Sequence, residues 1–397
     1  MYSYLILGSG KQGVAAAYDL LKFGHASRLT IADGSSSAAH TAVQKLRNLL
    51  RTPIKHDRVQ VVARTINARS RKALARVMTG HDAVLSALPY YLNPLVAEVA
   101  ISVGIHYCDL GGYFDSTRKI LKLNHRAKKA GVTLVPDCGV APGLCNSLAV
   151  AGMQKLDRAQ EVHIYCGGLP QRPRPPLNYK IVFNLEGVLG NYFGKSYVLE
   201  RGKVRLVPSF SGQEYLTFGR PLGKLEARTT GGATSTCPWT FRGKLKAYDY
   251  KTLRYPGHYD KMEMLKQLGL FETSPVRVNG SRLPPREMFV ASVGQRLAFP
   301  KDRDLLVMRV IVRGRIGKRK AEAVYDLLDY GDPRTGFTAM QRTTGFSAAI
   351  VLEHLAQGRV RHVGVVPVEK ALDGHEVLEA TRARGIRIKE TIHRSPR

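Results

Sequence analysis

Tyr4–Leu5–Ile6–Leu7–Gly8–Ser9–Gly10–Lys11–Gln12–Gly13 decides the fold. An apolar run leads into G-x-G-x-x-G, and the Ala-rich segment Val14–Phe23 follows. That order predicts a strand, a tight turn and a helix. Gly8 permits the turn, Gly10 lets the backbone approach a pyrophosphate, and Gly13 lets the helix pack close to the strand. The free N–H groups and partial positive charge at the helix start favour phosphate. A second strand, Arg28–Ala32, ends in Asp33, 20 residues beyond Gly13, where an adenosine ribose presents its hydroxyls. The pattern predicts a dinucleotide site; a structural Gly-rich turn is the alternative. A carboxylate accepts hydrogen bonds from a ribose diol and repels a 2′-phosphate. Gly34–Ser37 contain no Arg to hold that phosphate, so NAD is expected over NADP. Arg28, Lys45 and Arg47 leave NADP disfavoured rather than excluded.

Working outward, strand and helix patterns alternate. Val59–Val62, Ala83–Ser86, His106–Asp109 and Val132–Val135 read as strands, and Ala38–Leu50, Ser70–Met78, Leu92–Val103 and Asp115–Ala130 as helices. This rhythm predicts an α/β fold with a Rossmann-type, doubly wound parallel sheet. Ligands bind at the strand C-termini of such sheets, which adds Leu88, Pro89, Leu110 and Gly111 to the expected cofactor residues Gly8, Ser9, Gly10, Lys11, Gln12, Gly13 and Asp33. Beyond Asp137 the rhythm changes. A helix is expected over Leu144–Leu156 and a strand over Val162–Cys166, followed by an extended Pro-rich loop, Gly168–Leu177. Tyr197–Leu199 and Val204–Leu206 read as a hairpin, Tyr248–Arg254 as a strand, His258–Leu268 as a helix, and Leu305–Arg313 with Ala321–Leu328 as paired strands. The second domain is therefore α+β with a mainly antiparallel sheet. We place the domains at 1–140 and 141–340. A helix opened by Thr344–Gly345–Phe346 should bring about 341–370 back onto the first domain, and 371–397 form a basic C-terminal segment.

At 397 residues, two domains are the natural expectation. No apolar run is long enough to cross a membrane, and Met1–Tyr2–Ser3 lacks a basic leader. Five cysteines without a C-x-x-C pair argue against a disulfide framework and against a structural zinc, so no metal is expected and a cytoplasmic location fits. The formal net charge of +30 is unusual. Its cations are spread, with concentrations at Arg309–Lys320 and Arg382–Lys389, and stacking aromatics are not interleaved with them. Specific nucleic-acid binding is not expected.

The glycine turn, Leu110–Gly112, Pro136–Gly143, Tyr250–His258 and Thr343–Ala349 resemble the saccharopine dehydrogenase family. Gly167–Pro170, Arg172–Pro173, Pro175–Leu177, Phe183 and Leu185–Gly187 are most similar to its branch that oxidises the ε-amine of L-lysine. The likeness runs from Tyr4 to about Glu369. It implies NAD-dependent oxidation of that amine to an imine, hydrolysis to the 6-semialdehyde, and a homodimer or larger assembly. Saccharopine reductase or a related secondary-amine dehydrogenase is the alternative within the enzymes; a non-catalytic NAD-binding scaffold is the alternative outside them.

Hydride leaves a C–NH2 carbon only when the amine is neutral, and a free lysine ammonium has a pKa of about 10.4. A base is therefore needed. Asp109, at a strand end, is the first candidate and Asp137 the second; each has turn-capping as its alternative. The substrate carboxylate calls for an arginine fork. Arg254 is the candidate, with Tyr179, Thr230 and Gly231 as further substrate contacts or as packing and turn residues. His258 is read as a helix cap in preference to a proton relay, and Cys108 as a buried small side chain.

Overall fold

The computed structural model describes residues 1–50 and 59–395. Its first sheet begins with β1 (Tyr2–Leu7), β2 (Ala26–Asp33), β3 (Gln60–Thr65), β4 (Ala83–Ser86), β5 (His106–Asp109) and β6 (Thr133–Val135). These strands are parallel in the order 6-5-4-1-2-3. Between them run α1 (Lys11–Phe23), α2 (Ser36–Leu50), α3 (Arg71–Met78), α4 (Asn93–Val103), α5 (Phe114–Leu121) and α6 (Asn124–Lys129). Helices cover both faces, so the central strands are continuous apolar runs: every residue of β4 and Tyr4–Leu7 of β1 are buried. The strand order reverses between β1 and β4, and the crevice beyond their C-termini is where such a sheet takes its ligand. The single helix expected over Asp115–Ala130 is two, because the chain turns at Lys122–Leu123 to bury Leu123 with Ile120 and Ala127.

α7 (Leu144–Gln154) leads to the second sheet. Its strands are β7 (Arg158–Pro170), β8 (Lys195–Glu200), β9 (Lys203–Pro208), β10 (Glu214–Phe218), β11 (Gly223–Thr229) and β12 (Ala247–Arg254). After a separate hairpin, β13 (Val276–Val278) and β14 (Ser281–Leu283), come β15 (Asp304–Ile316) and β16 (Arg319–Tyr330). β17 (Gly364–Val365) returns to the first sheet beside β6, and β18 (Ile388–Arg394) closes the second sheet beside β16. Its order is 10-11-12-7-15-16-18, with β8 and β9 attached to β12. All pairings are antiparallel except β12 with β7. The helices are α8 (Leu185–Tyr192), α9 (Cys237–Thr240), α10 (His258–Gln267), α11 (Pro285–Gly294), α12 (Ala339–Ala356), α13 (Val368–Ala371) and α14 (Gly374–Ala383).

Two boundaries differ from expectation for physical reasons. Gly168–Leu169–Pro170 belong to β7 rather than to the loop, because they pair with Asp304–Leu306 of β15. Pro170 is tolerated as the last residue of its strand. α12 starts at Ala339, five residues before the expected opening, where Thr338 and Gln341 form a capping box. Gly345 is therefore not a helix start. It is the point where α12 crosses α1: a Cβ there would lie 2.8 Å from the Ala15 Cβ. The segment after Ala371, which had no assigned place, supplies α14 against α7 and β18 at the sheet edge. At its centre Arg384 donates to both oxygens of buried Asp19 on α1, at 2.9 and 2.8 Å, and to Glu353 at 2.8 Å. Among the described residues no helix is long and apolar enough to cross a membrane.

Candidate active site

The glycine turn has the predicted local geometry at Gly8 and Gly13. Gly8 has φ +102°, and a Cβ there would meet the Ala87 carbonyl oxygen at 2.7 Å. A Cβ on Gly13 would lie 2.0 Å from the Gly8 carbonyl oxygen, so α1 can pack only with glycine at that position. Gly10 has open space where a Cβ would be and is the N-cap of α1, with no side chain closing the helix start. Lys11 begins that helix, leaving its first amides available to an anion. The Gln12 Oε1 beside them is buried without a hydrogen-bond partner among the described residues. Asp33 sits at the end of β2. Its Oδ2 accepts from the Ser9 N–H (2.8 Å) and Oγ (2.7 Å), and its Oδ1 from the Ser35 N–H (2.9 Å). Partial burial works against its ionisation, but these donors outweigh it and hold the carboxyl below its usual range. An open glycine, an uncapped helix, an orphaned amide oxygen and an ionised carboxylate fit a dinucleotide.

The loops from β4, β5 and β6 close the crevice. Leu88 lies against the Gly8 turn, and Pro89 precedes a 3-10 turn at Tyr90–Leu92. A Cβ on Gly139 would lie 2.7 Å from the Leu110 carbonyl oxygen, and one on Gly111 would lie 2.4 Å from Asp137 Oδ1. Asp109 and Asp137, 1 % and 2 % exposed, are therefore neighbours. Asp109 Oδ1 accepts from the Gly111 N–H at 2.7 Å and the Asp137 N–H at 3.0 Å, and its Oδ2 from the Tyr107 hydroxyl at 2.7 Å. Asp137 has φ +67°, and its carboxylate accepts from Thr117 Oγ1 and from Ser235 Oγ, a residue of the second domain. Burial raises the proton affinity of both carboxyls, and in Asp137 the neighbouring Asp109 charge adds to it.

The second domain borders the same crevice through Ser235 and the Thr230–Gly232 loop. A Cβ on Gly232 would lie 3.4 Å from the Gly112 carbonyl oxygen, which puts the Thr230–Gly232 loop against the β5 loop. The Gly231 N–H donates to the Asn191 carbonyl at 2.8 Å, and the Thr230 and Thr252 hydroxyls are 2.7 Å apart. Tyr250, Thr252 and Arg254 alternate along β12 and so share one face. Arg254 is 4 % exposed. Its Nε donates to the Tyr192 hydroxyl at 2.7 Å and its Nη1 to the Leu253 carbonyl at 2.8 Å, and its guanidinium lies over the Tyr179 ring at 4.9 Å. Glu226 faces Arg254 across β11, but its oxygens are taken by the Gly257 and Tyr259 amides. Arg254 makes no ion pair among the described residues, and its Nη2 makes no hydrogen bond among them. The buried Tyr179 hydroxyl beside it has no partner either.

His258 is not the helix cap; Glu226 is, through those two amides. The imidazole instead ends a directed chain. Nδ1 lies 2.9 Å from the Leu177 carbonyl, which can only accept, so Nδ1 carries the proton. Nε2 then accepts from Tyr192, 3.0 Å away, whose oxygen accepts from Arg254. Burial and the Arg254 charge push the His258 pKa down to about 3, so the ring is neutral. Tyr192, which holds the Arg254 guanidinium, is the member of this cluster that the sequence reading missed. It lies 62 residues from Arg254, at the end of a helix whose quoted motif, Leu185–Gly187, stops five residues short of it. Cys108 is buried, and all five cysteines are free.

Residues 4–135 match the family model described as saccharopine dehydrogenase NADP binding domain, and residues 139–386 the saccharopine dehydrogenase C-terminal domain. Mitochondrial alpha-aminoadipic semialdehyde synthase of Bos taurus is 26 % identical over 80 % of this chain and 41 % of its own length. The chain thus spans about two fifths of that relative. Saccharopine dehydrogenase [NADP(+), L-glutamate-forming] of Schizosaccharomyces pombe is 23 % identical over 99 % of both chains. The apo saccharopine dehydrogenase (L-Glu forming) structure from Saccharomyces cerevisiae superposes with a TM-score of 0.78, covering 99 % of this chain and 100 % of that one at 18 % identity, a likeness of fold. With its two family models joined end to end across both sheets, the chain belongs to the saccharopine dehydrogenase family.

Proposed function

We propose that this chain is a nicotinamide-dependent oxidoreductase that oxidises L-lysine at its ε-amine, the reaction of a lysine 6-dehydrogenase. The imine product hydrolyses to 2-aminoadipate 6-semialdehyde, which closes to a piperideine carboxylate. The observation that carries this reading is the solitary guanidinium. Two arginines are buried among the described residues. Arg384 is neutralised by Asp19 and Glu353; Arg254 has no carboxylate and an uncommitted nitrogen. One such fork suits one substrate carboxylate. Lys180, the one buried lysine among the described residues, has its ammonium bound to the Phe299 and Asp302 carbonyls.

The nicotinamide, when bound, supplies the hydride acceptor. Arg254 and the Tyr179 hydroxyl hold the substrate carboxylate, with the Thr230–Gly231 loop beside them. Asp137 is the base we favour over Asp109. Its partners are hydroxyls, which can rotate from donor to acceptor when the carboxyl takes a proton. Two of the three donors on Asp109 are backbone amides, which cannot. Asp109 then positions the Asp137 backbone. Asp33 supports NAD: an ionised carboxylate at the ribose position repels a 2′-phosphate. The relatives named for NADP(+) support the opposite choice, and this chain's own carboxylate is the reason we keep NAD. A homodimer or larger assembly in the cytoplasm belongs to the same reading.

A second reading, oxidation of saccharopine itself, has the named relatives in its favour. Initial rates with L-lysine and saccharopine, each with NAD and NADP, separate the two. We expect turnover with L-lysine and NAD. Turnover with saccharopine alone would replace this reading with the second.

A further inference from the structure

The strand register on the outer face of the second sheet pairs most charges with their opposites. Arg309 lies across from Asp326, which lies across from Lys389. Glu161, Arg313, Glu322 and His393 form the next charged row, again alternating. Arg309 donates to both oxygens of Asp326, at 2.6 and 3.0 Å, and Arg313 to Glu322 at 2.7 Å. The last row breaks the pattern. Arg158, Arg315 and Lys320 stand directly opposite one another on β7, β15 and β16. Like charges directly opposite destabilise a sheet, and neighbouring strands are only about 4.8 Å apart.

This row borders a concavity of about 660 Å³. Arg315, Lys320, Lys246 and Arg394 line it, and Arg158 flanks it. All five are exposed, and none makes an ion pair among the described residues. Two acids also line the concavity, Glu322, which is paired with Arg313 of the same lining, and Glu161, 3.6 Å from His163; Asp157 nearby accepts from the Gly317 N–H. Of the rings, only the His393 imidazole lines the concavity, and Phe, Tyr and Trp do not, so it lacks the run of stacking platforms that a single-stranded nucleic acid uses. The place is remote from the crevice. Thr252, two residues before Arg254, lies opposite Cys166, eight residues along β7 from Arg158, or roughly 26 Å of strand.

We propose that this concavity binds a run of adjacent phosphates, as in inorganic tripolyphosphate or the phosphate tail of a nucleotide. The bound anion answers the cation row that the sheet leaves uncompensated, and it gives part of the +30 charge a definite use.

The test is titration calorimetry of the full chain with tripolyphosphate at 150 mM salt, with thermal midpoints measured beside it. We expect saturable binding that Arg315→Gln with Lys320→Gln weakens tenfold or more. Lys72→Gln with Lys119→Gln, on exposed helices of the first domain, changes net charge equally and leaves binding intact. Without ligand, the first pair should melt no lower than the parent, because a repulsion is removed; with tripolyphosphate it should lose the parent's upward shift. ATP in place of tripolyphosphate identifies a nucleotide tail if it binds as tightly. Equal weakening by both pairs, or no saturable binding, overturns the proposal. So does binding of duplex DNA, reduced alike by both pairs, when tripolyphosphate does not bind.

Discussion

Two buried charged groups, Asp109 in the first domain and Arg254 in the second, differ in how completely they are satisfied. Asp109 receives a donor on every side that the fold offers, two of them backbone amides. Arg254 is just as buried, yet it keeps one nitrogen free and lies beside a tyrosine hydroxyl with no partner. Buried polar groups are almost always paired in a folded chain. A saturated one is therefore holding the fold, and an unsaturated pair marks where a ligand completes the set. A free carboxylate at Arg254 and Tyr179 would do so.

The largest effect that would sharpen this contrast is on stability. Asp109→Leu leaves the Gly111 and Asp137 amides without an acceptor and the Tyr107 hydroxyl with only its 3.4 Å contact to the Asn93 carbonyl, at roughly 1–3 kcal/mol for each lost acceptor, so denaturant melts should show a loss of about 2–4 kcal/mol. A variant that folds normally but turns over nothing would give Asp109 the chemistry instead. Next, Arg254→Met should raise the KM for L-lysine by roughly 10- to 150-fold, the equivalent of about 1.5–3 kcal/mol, while the KM for NAD and the melting point move far less. Asp33→Ala should raise the apparent K for NAD about tenfold, a charge-assisted pair of bonds being worth at least about 1.5 kcal/mol, and leave NADP little changed; equal effects would remove the argument for NAD.

Smaller effects concern the chain that holds Arg254. Tyr192→Phe should raise the KM for L-lysine about fivefold, the loss of about 1 kcal/mol, with kcat nearly kept. The pH dependence has a definite sign. An unfolded histidine titrates near 6.5, whereas His258 in the fold does so at about 3. Between those values the unfolded state binds the extra proton, so this group's contribution to stability is complete above pH 6.5 and is lost as pH falls. His258→Gln should flatten that loss in melts between pH 6.5 and 4; an unchanged slope would mean that His258 is already charged or exposed.

The first domain was legible because its information is local. Gly8, Gly10, Gly13 and Asp33 lie within 26 residues, and Gly8 and Gly13 have the turn and the close packing that their spacing implied. The strands and most helices of the second domain followed from alternation and turn residues. The Arg254 setting could be read only in part. Arg254 itself stands in a motif, but the chain that holds it runs through Tyr192 and His258 to the Leu177 carbonyl, two helix ends and a loop that tertiary packing brings together without a periodic trace. Gly345 misled the reading because a glycine inside a helix looks like a boundary. Only the contact with Ala15 and Ala16 explains it. The balance of charge along the second sheet was hidden for the same reason, since it depends on register rather than on order along the chain.

The most direct test of the Arg254 assignment compares L-lysine with cadaverine, the same amine without the carboxylate, in the parent enzyme and in Arg254→Met. The account predicts that the parent strongly prefers L-lysine, and that the variant loses this preference by slowing on lysine while its rate on cadaverine stays unchanged. An equal fall on both substrates would contradict it, because Arg254 would then support the fold or the reacting amine rather than the carboxylate.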